Sequence, residues 1–332
     1  MTNNIKNIRL LEIKEGDEGV RLDRWLRRQI PGLAQGLIEK LVRTGQIRIN
    51  GARVKAGHRL ELAQLVRIPP IPHQSLTRKS NLSIINDDDV IELRESVLYR
   101  DKNVLVINKP PGLAVQGGSS ITRHLDAMLD ALRFDLPENP RLVHRLDKHT
   151  SGVLVLARTS ASAAFLTKLF RNRSIRKVYW ALTVGIPPLT EGVLKLPLAK
   201  VSDIRGYERV RFSEEGQVAI TKYTLISSIG RKASWLALEP ETGRTHQLRA
   251  HMEALGTPIV GDKKYKKSKW PEVGGLSPGL HLHARMIEFS SPSGAKIIVE
   301  APLPDHMQKT WSQLGLELNL YYDFINQRRA PD

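Results

Sequence analysis

The sequence predicts an α+β protein in two parts: a small basic module, then a larger domain with a mixed, mainly antiparallel sheet and flanking helices. Three observations lead there. At 332 residues, 41% hydrophobic and 26% charged, the chain is long enough for two domains and can bury a full core in at least one. Between about residues 20 and 70, two helical periodicities precede short strands and the break Pro69-Pro70. Beyond residue 97, strand-like segments outnumber helical ones. The expected division is an N-terminal extension over 1–19, the small module over 20–70, a linker over 71–96, the larger domain over 97–315 and a tail over 316–332.

In the small module Leu22, Trp25, Leu26 and Ile30 recur at helical spacing, with Arg21, Arg24, Arg27 and Arg28 around the rest of the helix. A second helix, over about Gln35 to Thr44, places Leu37, Ile38, Leu41 and Val42 on one stripe and ends at Gly45. Ile47-Arg48-Ile49 then runs into Asn50-Gly51, the favoured two-residue hairpin turn, and Ala52 to Lys55 should form the returning strand. Leu60 to Ile68 supplies a further strand. From Pro69 to Ser96, prolines, polar residues and the acidic run Asp87-Asp88-Asp89 read as a linker with one short ordered piece.

In the larger domain Val104 to Ile107 is a buried-strand run closed by Lys109-Pro110-Pro111-Gly112. Helices are expected over Ile121 to Leu132 and Ser160 to Asn172. Strands are expected over Gly152 to Ala157, Lys177 to Val184, Ala219 to Ile226, Ser234 to Glu239, His281 to Phe289 and Lys296 to Glu300.

Charge narrows the partner. Lys and Arg total 51 against 34 Asp and Glu, a formal charge of +17 that favours polyanions, nucleic acid first. Residues 1–80 hold 16 basic and 7 acidic side chains, so the first quarter carries about half of that excess. The absence of cysteine excludes disulfides, thiolate metal sites and a cysteine nucleophile, and fits a reducing, cytoplasmic setting. Met1 to Glu15 lacks the apolar core of a secretory signal, and the central apolar run, Gly152 to Ala157, is far shorter than the roughly 20 residues of a membrane span.

Three segments of the larger domain concentrate polar groups beside apolar strands. Arg141 to Gly152 contains His144, Arg145, Asp147, Lys148 and His149; by spacing alone, an aspartate there also reads as a turn residue that caps backbone groups. Gly243-Arg244-Thr245-His246-Gln247-Leu248-Arg249-Ala250-His251 suggests a helix start that aims Arg249 into a cleft as an ion-pair partner. Its histidines lack a metalloprotease-type spacing, so no metal is expected. In Arg176 to Ala181, Tyr179 reads equally as a core aromatic or as a stacking surface for an extruded base. Lys263 to Trp270 joins five cations to two rings, suited to phosphates and unstacked bases or to a solvated loop.

Arg21-Leu22-Asp23-Arg24-Trp25-Leu26, the second helix and Gly45 to Gly51 resemble the S4 RNA-binding domain, departing from its usual pattern at Leu33 to Gly36 and Leu62 to Leu65. The resemblance implies RNA contacts at Arg21, Arg24, Arg43 and Arg48. Leu142-Val-His-Arg-Leu-Asp147 with Thr150-Ser151-Gly152, Lys177-x-Tyr179 and Gly243 to His251 together resemble the three motifs of the RluA family of pseudouridine synthases, in family order. With the S4-like module, Asn108 to Ser119 looks most like the members acting on bacterial large-subunit ribosomal RNA. The resemblance implies a cofactor-free isomerase that flips a uridine out of its RNA, with Asp147, Tyr179 and Arg249 catalytic and Arg145, Arg244, Lys264 and Lys266 on RNA. Asp147 would act as nucleophile on C1′ or as base on the 2′ hydrogen. Its partner would be large-subunit ribosomal RNA or an assembly intermediate, and a cytoplasmic monomer is expected. Two competitors stand beside this: an RNA-binding protein without catalysis, and an RNA hydrolase using His144 or His149.

Overall fold

The computed structural model describes residues 7–30, 32–71, 86–118, 121, 123–202, 208–265 and 275–322. The chain divides into two compact units, 1–83 and 84–332.

In the first unit, β1 (Arg9–Glu12), α1 (Leu22–Gln29), α2 (Gln35–Arg43), β2 (Arg48–Ile49) and β3 (Leu65–Ile68) form two helices and a three-stranded antiparallel sheet in the order β1-β3-β2. The helical stripes face inward as predicted: Leu22, Trp25, Leu26, Ile30, Ile38, Leu41 and Val42 share a core with Ile13, Ile47, Val66 and Ile68. Arg24, Arg27 and Arg28 remain on the exposed side. Two expectations change. The stretch read as an extension supplies β1, which adds to the free edge of β3. Asn50 and Gly51 do turn with positive φ, but Ala52 meets Ile49 in a single bridge and no strand follows over 52–55. Arg48 pairs instead with Arg67 of β3.

The second unit opens with α3 (Asp87–Glu95), the ordered piece of the stretch read as linker. Asn86 caps it by accepting from the Asp89 N–H at 2.9 Å, and the acidic run occupies its first turn, where the helix dipole stabilises negative charge. Leu93 anchors it in the core. Residues 72–85 lie outside the described residues. The chain continues through β4 (Val97–Arg100), β5 (Val104–Lys109), one turn of helix α4 (Leu125–Met128), β6 (Arg141–Leu142), β7 (Ser151–Ala157) and α5 (Ser160–Arg171). Helix over Ile121 to Leu132 is thus shorter than predicted: a 3-10 turn takes over at Leu129. Then come β8 (Arg176–Val184), β9 (Glu191–Lys195), β10 (Leu198–Ser202), β11 (Glu208–Phe212), β12 (Ile220–Ile229), β13 (Ala233–Pro240), α6 (Gln247–Ala254), β14 (Leu282–Ser290), β15 (Lys296–Glu300) and α7 (Asp305–Gln313).

A ten-stranded sheet runs β4-β5-β7-β14-β8-β13-β12-β9, with β15 on β14 and β6 on β7. Only the β7–β14 pair is parallel among its described ladders, so the sheet is mixed and mainly antiparallel. β10 and β11 form a separate hairpin. The stretch read as a tail contributes to the core: Leu316 and Tyr321 are buried with Trp180, Trp235 and Trp311, because β8 and β13 present large aromatic rings that need a cover. Among the described residues, no helix is long and apolar enough to cross a membrane.

Candidate active site

Asp147 lies in the loop from β6 to β7. Its backbone carbonyl closes a turn by accepting from Thr150 N–H at 3.1 Å, while its carboxylate faces a cleft of about 630 Å³. The loop is held from beneath by Lys109, fully buried, whose ammonium donates to the carbonyls of Pro110, Leu113 and Lys148 at 2.8, 2.9 and 3.2 Å. Burial pushes that ammonium down to about 7, against the pull of Asp147. Where the loop enters β7, Gly152 has φ +109°, and a Cβ there would lie 2.2 Å from the carbonyl oxygen of Ala284. Only glycine permits β7 and β14 to approach so closely.

Arg249 reaches the same cleft from α6. Its Nη1 is 3.6 Å from Asp147 Oδ2, and its other face makes a bidentate pair with Asp262 at 2.6 and 2.8 Å. Burial opposes the guanidinium's charge, but the hydrogen bonds and charge of Asp262, with Asp147 adding, hold it above its ordinary value. Asp262 also accepts from the backbone N–H groups of Lys264 and Tyr265 at 2.9 and 3.1 Å. Arg249 is therefore a cation shared between two carboxylates, one buried and structural, the other facing the cleft.

The start of α6 is pinned to β12 by buried polar groups. Gln247 donates to the Ile220 carbonyl and the Thr221 hydroxyl, each at 2.9 Å, and accepts from the Thr242 hydroxyl at 2.7 Å. His251 donates from Nε2 to the Leu196 carbonyl at 3.3 Å and accepts at Nδ1 from Thr221 at 2.9 Å. His246, left-handed at φ 53°, turns the other way: its Nδ1 meets the Tyr265 hydroxyl at 3.0 Å and its Nε2 lies 3.8 Å from Asp147. Tyr265 also accepts from Val210 N–H; when its phenolic proton goes to His246 Nδ1, a neutral imidazole carries its own proton on Nε2, towards Asp147. Burial lowers the pKa of His246 although Asp147 opposes this.

Tyr179 stands half-buried on β8 and lines the cleft. Burial, reinforced by the charge of Asp147, raises its hydroxyl well above the ordinary value, so it rests as a neutral phenol. Arg145 and Arg244 line the cleft as well; Arg244 donates to the Val218 carbonyl at 3.2 Å. Lys264 is near enough for Asp147 to act on it, although burial lowers its pKa. Lys266 and Ser119 lie outside the described residues.

In the first unit, Arg24 and Arg43 are exposed. Arg21 is held by Asp23 at 2.7 Å, and Arg48 folds onto the Gly45 and Gly51 carbonyls at 2.9 and 3.2 Å.

His144 is not placed for acid–base work. Its Nε2 accepts from Val155 N–H at 2.8 Å, its ring stacks on Phe170 at 4.3 Å, and burial pushes its pKa down to about 3. Of the two histidines offered for a hydrolase, His144 is therefore engaged in the fold. Sequence reasoning passed over Lys109 and Asp262 as site residues and read Tyr265 as a ring for unstacked bases, whereas it is buried, with its hydroxyl engaged by Val210 N–H and His246. The spacing Gly261-Asp262-x-x-Tyr265 was the available signal: a Cβ on Gly261 would lie 1.6 Å from the Gly279 carbonyl oxygen, marking a forced turn beside a buried acid.

Comparison with known proteins places the chain among RNA pseudouridine synthases. Residues 103–254 match the family model described as RNA pseudouridylate synthase. The chain is 37% identical to ribosomal large subunit pseudouridine synthase C of Buchnera aphidicola, over 93% of this chain and 98% of that one. It is 34% identical to the mitochondrial RNA pseudouridine synthase 4 of Arabidopsis thaliana, over 88% and 78%. Among solved structures it matches human RNA pseudouridylate synthase domain containing 4 with a TM-score of 0.60 and 34% identity, over 70% of this chain and 97% of that one.

Proposed function

Because the chain belongs to the RluA family of RNA pseudouridylate synthases, enzymes that isomerise uridine to pseudouridine, we propose that its substrate is large-subunit (23S) ribosomal RNA and that Asp147 attacks a flipped uridine. The observation that carries the reading is the convergence of Asp147, Arg249 and Tyr179, from three separated segments, on one cleft.

In this reaction the bond from uracil N1 to ribose C1′ breaks, the base turns, C5 bonds to C1′, the C5 hydrogen leaves as a proton and N1 gains one. No redox partner or water is consumed. The carboxylate must meet the ribose as an anion, either as nucleophile at C1′ or as base at the 2′ hydrogen. Arg249, with the proton on His246 Nε2, favours that anion without neutralising it by direct contact, since Asp262 already takes the closer hydrogen bonds. Tyr179 offers its ring to the extruded base and its hydroxyl as a relay for the C5 proton.

Arg145, lining the cleft, holds the region of the flipped nucleotide, and Arg244, Lys264 and Lys266 engage the RNA backbone. Two helices with exposed arginines over a three-stranded sheet support an S4-like RNA-binding role for the first unit, with Arg21, Arg24, Arg43 and Arg48 on phosphates. The protein acts in the cytoplasm as a monomer, on naked ribosomal RNA or an assembly intermediate.

Pseudouridine mapping of ribosomal RNA from cells with and without the protein tests the substrate. Sites in large-subunit RNA that vanish with the gene and return with it are expected. An unchanged ribosomal RNA map would contradict the assignment.

A further inference from the structure

Beside the catalytic cleft lies a second hollow of about 730 Å³, and the two meet at Lys177, Arg173, Pro240 and Glu241. The second hollow holds three carboxylates, and each has its own cation. Glu239 pairs with Arg176 at 2.9 Å, Glu241 with Lys222 at 3.0 Å and Glu288 with Lys296 at 2.7 Å. Lys177 and Arg173, at the junction, have no carboxylate within ion-pair distance among the described residues. Once the pairs are set aside, the junction is a place of uncompensated positive charge.

Lys177 is placed for a defined task. It precedes Tyr179 by two residues on β8, so both side chains leave the same face of the strand, roughly 6.7 Å apart along it. Both line the catalytic cleft, Tyr179 where a base would stack and Lys177 one step towards the second hollow. Arg176, which precedes Lys177 and so leaves the opposite face of the strand, is the one that pairs with Glu239. Lys177 is half-buried, and burial with the neighbouring Arg173 lowers its ammonium pKa, a cost that an anion would relieve. Arg173 follows the C-terminal end of α5 with φ 59°, a left-handed position ordinarily given to glycine, and its side chain is directed to the same junction.

We infer that Lys177 and Arg173 form a phosphate subsite that grips the RNA backbone beside the target uridine, leading the adjoining nucleotide out of the catalytic cleft into the second hollow. The inference rests on the proposed RNA substrate and adds to it where the strand leaves the site. Phosphate is the chemistry that fits: an anion with several acceptor oxygens, facing an ammonium and a guanidinium that line the same junction.

The test measures binding of the full-length protein to an unmodified transcript of large-subunit ribosomal RNA across a series of salt concentrations, with turnover measured separately. Lys177→Gln should weaken binding several-fold and make the log affinity against log salt slope shallower by about 0.7, one single-strand phosphate contact. Lys177→Arg should restore the slope, Arg173→Gln should reproduce the loss from an exposed position, and the turnover deficit of Lys177→Gln should fall mainly on KM. Arg176→Gln removes an equal but already paired charge from the same region and should leave the slope unchanged. An unchanged slope in both Lys177→Gln and Arg173→Gln, or an equal change in Arg176→Gln, would overturn the inference. Absence of turnover by the unsubstituted protein would instead strike the isomerase assignment, while the binding slopes would still decide the subsite.

Discussion

Replacing Asp262 by alanine should damage both the stability of the protein and its chemistry. The Asp262 side chain is fully buried, makes two hydrogen bonds to Arg249 at 2.6 and 2.8 Å and accepts two backbone N–H groups. Breaking a buried pair by removing one partner costs about 3–5 kcal/mol. Arg249 keeps Asp147 as a second carboxylate at 3.6 Å, so the lower end, about 3 kcal/mol, is expected. At about 2–4 °C per kcal/mol for a unit of this size, Tm should fall by roughly 6–12 °C. Among the described residues, Asp147 would then be the one carboxylate paired with Arg249. At 3.6 Å and an effective dielectric near 20, their attraction is on the order of 4–5 kcal/mol before solvent competition, enough to draw the two into direct contact. The carboxylate would be turned from the ribose, and the single-turnover rate should drop at least about tenfold, equivalent to 1.4 kcal/mol. Thermal melts followed by circular dichroism and single-turnover tritium release from C5-labelled uridine RNA read the two effects. A Tm within about 1 °C of the unsubstituted protein together with an unchanged rate would refute the argument that Asp262 holds Arg249 in place.

Acid should destabilise the fold through its buried histidines: burial pushes His144 and His283 down to about 3 and His281 down to about 4. Neutral imidazole is the folded form, so this stability is complete above the unfolded value near 6.5 and is lost as pH falls towards those lower values, by about 1.4 kcal/mol per pH unit for each proton taken up. A Tm that stays level from pH 7 to pH 4 would show that these rings are not held neutral. Gly152→Ala should cost more than about 1 kcal/mol, measured by urea unfolding, because the new Cβ meets the Ala284 carbonyl at 2.2 Å in a positive-φ conformation; equal stability would mean that β7 and β14 can separate freely. Joint replacement of Arg24, Arg43 and Arg48 by glutamine should make the salt dependence of RNA binding shallower by about 2, and an unchanged slope would remove the first unit from the RNA interface.

The elements legible in the sequence were those whose burial pattern is local. The stripes of α1 and α2 and the apolar runs of β5, β7, β8 and β14 are set by alternation or helical spacing, and they lie where those periods place them. What stayed hidden depends on distant partners. β1 exists because β3 offers an edge, and β9 to β11 are half-exposed edge or hairpin strands with weak apolar alternation. The acidic run at 87–89 read as part of a linker but forms the first turn of a helix capped by Asn86, since dipole and N-cap outweigh composition there. At the site, the motif segments announced Asp147, Tyr179 and Arg249. The sequence did not reveal that Arg249 is shared with Asp262, because the two meet only when the turn at Gly261 folds back under α6. It likewise left His144 open as a reactive group; the Val155 N–H and the Phe170 ring, which engage it, are contacts of the folded chain.

The most direct test of the chemistry assigned to this cleft is tritium release from C5-labelled uridine RNA by Asp147→Asn. Asparagine keeps the size and hydrogen-bonding capacity of the side chain and removes the anion. RNA binding should be retained and tritium release abolished, with no pseudouridine in the recovered RNA. Turnover by that variant at a rate near that of the unsubstituted protein would contradict Asp147 as the catalytic carboxylate.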